Sequence, residues 1–137
     1  MFEVIYYSMT GNTKKVAEVI AEELNATAEN VKGKKELGKD SFVLLGSGCY
    51  GGRPWRELQK FILNNDFKGK KVALFGTSAN GSGDEVKAME ELLKPTGAII
   101  MGKFSCKGKY FFFFNRKYPS EKNLSDAREF AKKMKEN

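Results

Sequence analysis

Ser8-Met9-Thr10-Gly11-Asn12-Thr13, "SMTGNT", joins the apolar run "FEVIYY" (2–7) to the helically spaced stretch "KKVAEVIAEEL" (14–24). Residues 2–7 form the near-continuous apolar run required of a strand buried on both faces. Beyond the turn, Val16, Ile20 and Leu24 fall on one helical stripe, with Glu18 and Glu22 off it. The turn itself holds hydroxyls, an amide and a glycine, and no charge. Gly11 lets the backbone turn tightly, Ser8, Thr10 and Thr13 offer hydroxyl donors, and the first N–H groups of the helix have no intrahelical partner. A phosphate monoester suits such a cradle, because its oxygens accept from hydroxyls and amides while the helix macrodipole favours an anion. No Gly-Lys-Ser/Thr follows four residues after a glycine, and no GxGxxG is present, so neither a Walker A loop nor a dinucleotide turn is indicated. Lys14 and Lys15 fall in the first helical turn, where positive charge is normally disfavoured and a bound dianion would offset it.

Outward from this turn, short apolar runs alternate with helical ones. A weaker strand is expected at 26–31, and the basic stretch 32–39 reads as loop. "SFVLLGSG" (41–48) and "KVALFG" (71–76) are buried strands. Between them Pro54 is expected in the first turn of a helix with Leu58, Phe61 and Ile62 inward, ended by Asn64-Asn65. After "TSANGSG" (77–83), Ser82 with Glu85 three residues on predicts a capping box for a helix carrying Val86, Met89 and Leu93, closed by Pro95. "GAIIMGKF" (97–104) and "KYFFFFN" (109–115) are expected as the last strand or strands, and the four phenylalanines 111–114 as buried sheet. Ser120 caps a final helix with Leu124, Ala127, Ala131 and Met134 inward. The order β-α-β-β-α-β-α-β-α predicts a parallel sheet covered on both faces, with ligands outside the carboxyl ends of its strands.

The chain has 137 residues, which suits one domain with a single core over 1–137. Hydrophobic residues at 41% and charged residues at 30% fit a soluble globular protein. No apolar run approaches the ~20 residues of a bilayer span. Met1 leads straight into "FEVIYY" without a basic segment, which reads as a strand rather than a signal peptide, and a cytoplasmic location is expected. The two cysteines, Cys49 and Cys106, lack metal-ligand spacing and are expected as reduced thiols. Histidine is absent, which excludes Ser-His and Cys-His catalysis and histidine-based metal sites. A net charge of +7 favours acidic partners, but lysines are spread through nearly every segment and mixed with glutamates, so nucleic acid is not expected.

On "SMTGNT" and on the alternation of elements over nearly the whole chain, the sequence resembles a short-chain flavodoxin. The resemblance implies a flavodoxin-like three-layer α/β sandwich with a five-stranded parallel sheet of order 2-1-3-4-5. It also implies FMN, with its 5′-phosphate on Ser8, Met9, Thr10, Gly11, Asn12 and Thr13. "GSGCYGGRPW" (46–55) is similar to the family's first flavin-flanking loop. By that likeness Tyr50 lies against one face of the isoalloxazine, with Gly48, Cys49, Gly51 and Gly52 near its N5 edge. Gly51 is the candidate for a peptide that must visit φ > 0. Trp55 either stacks near the flavin or covers the start of its own helix. Thr77, Ser78, Ala79, Asn80 and Gly81 match the second flavin loop in position, but that loop lacks the second aromatic many flavodoxins place there.

The basic charge is a further departure, since typical flavodoxins are acidic; a redox partner protein would need an acidic docking surface. The stretch from Cys106 to Lys109 suggests a tight turn. The resulting expectation is an FMN-binding electron carrier, as monomer or homodimer, with no nucleic-acid or membrane partner, no metal and no protein catalytic residue. An FMN-dependent NAD(P)H or quinone reductase on the same fold is the alternative, because the missing aromatic opens one flavin face. A cofactor-free interaction module is a third.

Overall fold

A computed structural model describes residues 1–34, 36–108 and 118–137. The second apolar stretch, "KYFFFFN", lies outside these residues, so its expected strand is not described. Strands β1 (Phe2–Tyr7), β2 (Ala28–Asn30), β3 (Phe42–Gly48), β4 (Lys71–Ser78) and β5 (Ile99–Lys107) pair in parallel in the order β2-β1-β3-β4-β5. The helices between and after them are α1 (Asn12–Glu23), α2 (Arg56–Asn64), α3 (Asp84–Leu93) and α4 (Glu121–Lys135).

The three continuous apolar runs become the centre of the sheet because only they are apolar on both faces. All seven residues of β3 are buried, as are residues 72–78 of β4. One face packs Val4, Leu44, Ala73 and Phe75 against Val16 and Ile20 of α1 and Ala127, Phe130 and Ala131 of α4. The other packs Ile5, Val43, Leu45, Val72 and Leu74 against Leu58 and Ile62 of α2 and Val86, Met89 and Leu93 of α3. Gly46 sits where a Cβ would fall 2.0 Å from the Phe75 ring, so the strand gives up its side chain to let that ring cross it.

Three local expectations are corrected. Helix α2 begins at Arg56 with Trp55 as N-cap, which puts Pro54 before the cap and not in the first turn. Gly83, at φ +78, is the N-cap of α3 and no side chain caps it, so the Ser82–Glu85 box does not form. The segment at Cys106 is not a turn: β5 runs to Lys107, alternating exposed Lys103, Ser105 and Lys107 with Phe104 and Cys106 as an edge strand does. Ser120 caps α4 as expected, in a capping box with Asn123 as its second member. No helix among the described residues is long and apolar enough to cross a membrane.

Candidate functional site

Residues 8–13, 48–55 and 77–83 follow β1, β3 and β4, the three adjacent central strands, and therefore meet at one edge of the sheet. Specific bonds join them. Met9 N–H donates to the Tyr50 hydroxyl at 3.1 Å. Thr13 Oγ1 lies 2.8 Å from Thr77 Oγ1. Gly108 N–H donates to the Ser78 carbonyl at 2.9 Å, and a Cβ on Gly108 would lie 2.5 Å from Asn12 Nδ2, so the end of β5 closes against the first loop.

In the first loop Gly11 adopts φ +91 as N-cap of α1, with no side-chain cap on the helix. The helix N–H groups of Thr13 and Lys14 precede the first intrahelical bond, which Lys15 N–H makes to the Gly11 carbonyl at 3.1 Å. Ser8 Oγ accepts from Gly11 N–H at 3.0 Å, which fixes the turn and leaves the hydroxyl proton to donate elsewhere. Thr10 is exposed and Met9 is 58% exposed. Thr13 departs from the expected row of outward donors: it is 1% exposed and turned to Thr77. One hydroxyl of that pair donates and the other keeps its own proton.

The second loop turns through Gly51 (φ +64) and Gly52 (φ +80). It is closed by paired backbone bonds between Tyr50 and Arg53, 2.8 and 3.3 Å long. A Cβ on Gly51 or Gly52 meets nothing within 4 Å, so backbone angle and not crowding demands glycine there. The Tyr50 ring folds back over Gly48, where a Cβ would be 2.9 Å from the hydroxyl. Burial pushes the Tyr50 phenol up to about 12, against the Met9 N–H, which favours its charged form. Trp55 stacks on Tyr7 with centroids 4.8 Å apart and planes at 9°, and Tyr50 meets both rings edge-on. The indole covers the start of its own helix, and its N–H is buried with no acceptor among the described residues. Lys32 Nζ lies 5.2 Å from the Tyr7 centroid.

In the third loop Thr77 and Ser78 are buried at the end of β4, while Ala79 and Asn80 are exposed. Asn80 Oδ1 accepts from Ser82 N–H at 3.0 Å, an Asx turn that aims the chain into α3. Gly81, at φ +71, sits against the Lys107 side chain.

Glu85, expected only as the second member of a capping box, is fully buried. Gly76 makes room for it: a Cβ there would be 2.2 Å from Glu85 Oε1. Desolvation raises its carboxyl from 4.5 to about 7. A signal was available in the sequence, because Glu85 lies four residues before Met89 and eight before Leu93, on the apolar stripe of α3. Cys49, beside it, is raised by burial first and by the Glu85 and Asp84 charges after that.

A wide cleft at the opposite end of the strands, lined by Phe2, Ser41, Asn65 and Lys70, is the weaker candidate. Lys70 Nζ there is already bound to the Gly38 and Lys39 carbonyls at 2.8 and 2.9 Å.

The sequence profile of the flavodoxin domain matches residues 3–137. The chain belongs to the flavodoxin family. An uncharacterized protein of Methanocaldococcus jannaschii is 32% identical over 137 residues, covering 92% of this chain and 91% of that protein. The flavodoxin of Megasphaera elsdenii is 30% identical over 116 residues, covering 74% and 82%. Among solved structures, a flavodoxin from the domain Archaea superposes with a TM-score of 0.73 at 20% identity, covering 95% of this chain and 92% of that one. That last likeness is one of fold, and the flavodoxin strand order is the one the sheet has.

Proposed function

We propose that this flavodoxin-family chain, read as a single domain over 1–137, is an electron carrier that binds FMN non-covalently across the three joined loops. The supporting observation is their convergence: an uncapped helix start in an uncharged, hydroxyl-bearing turn, tied to an aromatic cluster and to a glycine-rich loop with open space above it. The residues fit a flavin mononucleotide. Ser8, Thr10 and the N–H groups at the start of α1 would hold its phosphate, assisted by the macrodipole, with Met9, Gly11, Asn12 and Thr13 shaping the loop. Tyr50, with Gly48, Cys49, Gly51 and Gly52, would border the ring on one side, and the backbone of Thr77, Ser78, Ala79, Asn80 and Gly81 would border its pyrimidine side. Trp55 supports this wall through Tyr7 and Tyr50 instead of standing in it.

Bound FMN supplies a ring that stores and releases one or two electrons, so no protein acid or nucleophile is required. The chain's own part is to bind, orient and exclude water. Exposed Lys14, Lys15, Lys32, Arg53 and Lys107 surround or adjoin the loops, which supports a redox partner with an acidic docking face. The purified protein is expected to be yellow, or to take up added FMN with stoichiometry one; a colourless protein that does not bind FMN refutes the proposal and favours a cofactor-free interaction module.

A reductase is the second reading, supported by exposed Ala79 and Asn80 in a loop without an aromatic, which leaves a flavin face open to a nicotinamide or quinone. Rapid bleaching of the FMN-loaded protein by NADH or NADPH alone, in stopped flow, would favour it over the carrier.

A further inference from the structure

Of the six glutamates and aspartates of α2, α3 and their flanking turns, Glu85 alone is completely buried. Neither of its oxygens closes a hydrogen bond of normal geometry; its own backbone N–H and the Cys49 thiol approach closely enough only to favour the charged form slightly. The side chain lies on the bare backbone of Gly76 in β4. From the loop after β3 it faces Cys49, on its own helix it has Asp84, and across the sheet it acts on Cys106 of β5. No charged group of α2, and no lysine or arginine among the described residues, acts on it. A glycine kept bare to admit an unpaired carboxyl, between two loops that meet at one rim, is not explained by packing, since a leucine on an apolar stripe would be simpler.

We propose that Glu85 and Cys49 form a buried proton-holding pair beneath the three-loop rim, in which the Glu85 carboxyl reversibly takes up and releases one proton. The chain has no histidine, so no side chain with an ordinary pKa does this work. Desolvation acts in the same direction, toward a neutral carboxyl up to about pH 7. The pair responds to charge: a negative charge arriving at the rim raises the proton affinity of Glu85, and one proton from water then joins its carboxylate. If the flavin reading above holds, an electron delivered by a redox partner is such a charge, and its uptake is balanced by that proton.

The pair itself is tested on the protein without flavin. Difference infrared spectra between pH 5 and 9 are expected to show the carbonyl band of a protonated carboxylic acid that disappears with a midpoint near 7. The band should be absent from Glu85→Gln. Cys49→Ser, which places a stronger donor beside the carboxylate, should lower the midpoint and assigns the band even if Glu85→Gln does not fold. Alkylation of Cys49 gives an independent readout: with the neighbouring charge removed, Glu85→Gln should react several-fold faster at pH 8. The proposal is overturned if no protonated carboxyl survives above pH 6, or if its midpoint is the same in wild type and Cys49→Ser. Failure to bind FMN would refute the flavin reading alone, because neither measurement uses the flavin.

Discussion

Titrating Glu85 should make the protein less stable as pH rises through neutrality. Its carboxyl is raised from 4.5 to about 7 in the folded protein, so between those values the folded chain binds more protons than the unfolded one. Stability therefore falls with pH in this window: the contribution is complete below 4.5 and is lost as pH climbs through 7. Each pKa unit corresponds to about 1.4 kcal/mol, so the loss between pH 5 and pH 8 is on the order of 2–3 kcal/mol, a large part of a typical ~5–15 kcal/mol. The window is clean because the chain contains no histidine. Both cysteine thiols are raised from 9.0, which keeps their ionisation out of it. Urea unfolding of the flavin-free protein at pH 5, 6, 7 and 8, followed by far-ultraviolet circular dichroism, measures the slope. Glu85→Gln cannot ionise and should flatten it, whatever its stability at any one pH. A wild-type stability that is level or rising across this range, or a slope that persists unchanged in Glu85→Gln, refutes the account.

At the other end of the sheet Glu3 carries the opposite dependence. Burial alone would raise its carboxyl, but Lys34 at 2.8 Å, Ser41 and the Gly38 N–H together hold it below 4.5. That contribution is present above pH 4.5 and lost as pH falls through the lower folded value, so Glu3→Gln should reduce acid sensitivity while destabilising by about 1–3 kcal/mol at pH 6 in urea titration. Gly46→Ala drives a methyl into the Phe75 ring between two central strands and should cost more than about 2 kcal/mol, read as a drop in melting temperature. Thr77→Val leaves the buried Thr13 hydroxyl without its partner, a loss of about 1–2 kcal/mol in stability, and should also weaken FMN binding by loosening the first loop. Tyr50→Phe keeps the ring but removes the acceptor for Met9 N–H; a change of about 1 kcal/mol predicts roughly fivefold weaker FMN in fluorescence titration.

Much of the architecture was legible because the central strands need no context. Residues 2–7, 41–48 and 71–76 are apolar on both faces, a pattern that only a covered parallel sheet satisfies. Strand order was not legible in that pattern; it came with the likeness to flavodoxins carried by "SMTGNT", and the sheet has it. Errors fell where one residue type has two uses. Ser82 and Glu85 have capping spacing, but Gly83 takes the cap with a left-handed backbone and Asn80 engages Ser82 first. Cys106 and Lys107, expected in a tight turn, end β5 instead, because an edge strand tolerates polar side chains in alternation. Within the candidate site, loop composition placed the three segments correctly at one edge, yet the direction of Thr13 depended on Thr77, sixty-four residues away.

Glu3 and Glu85 show why the chemistry of a site is harder to read than its location. Each is a glutamate beginning or bordering an apolar stretch in a basic chain, and each exposes less than a tenth of its surface. Glu3 meets a lysine, a hydroxyl and a backbone N–H because the loop after β2 wraps back under β1, so it stays charged. Glu85 lies on a bare strand and meets a thiol that donates poorly, so desolvation raises its proton affinity. What separates them is supplied by segments distant in sequence: Gly38 and Ser41 for one, Gly76 and Cys49 for the other. No lysine among the described residues acts on Glu85. A basic protein thus buries, near the rim where a carrier's charge would change, a carboxyl that desolvation raises to about 7.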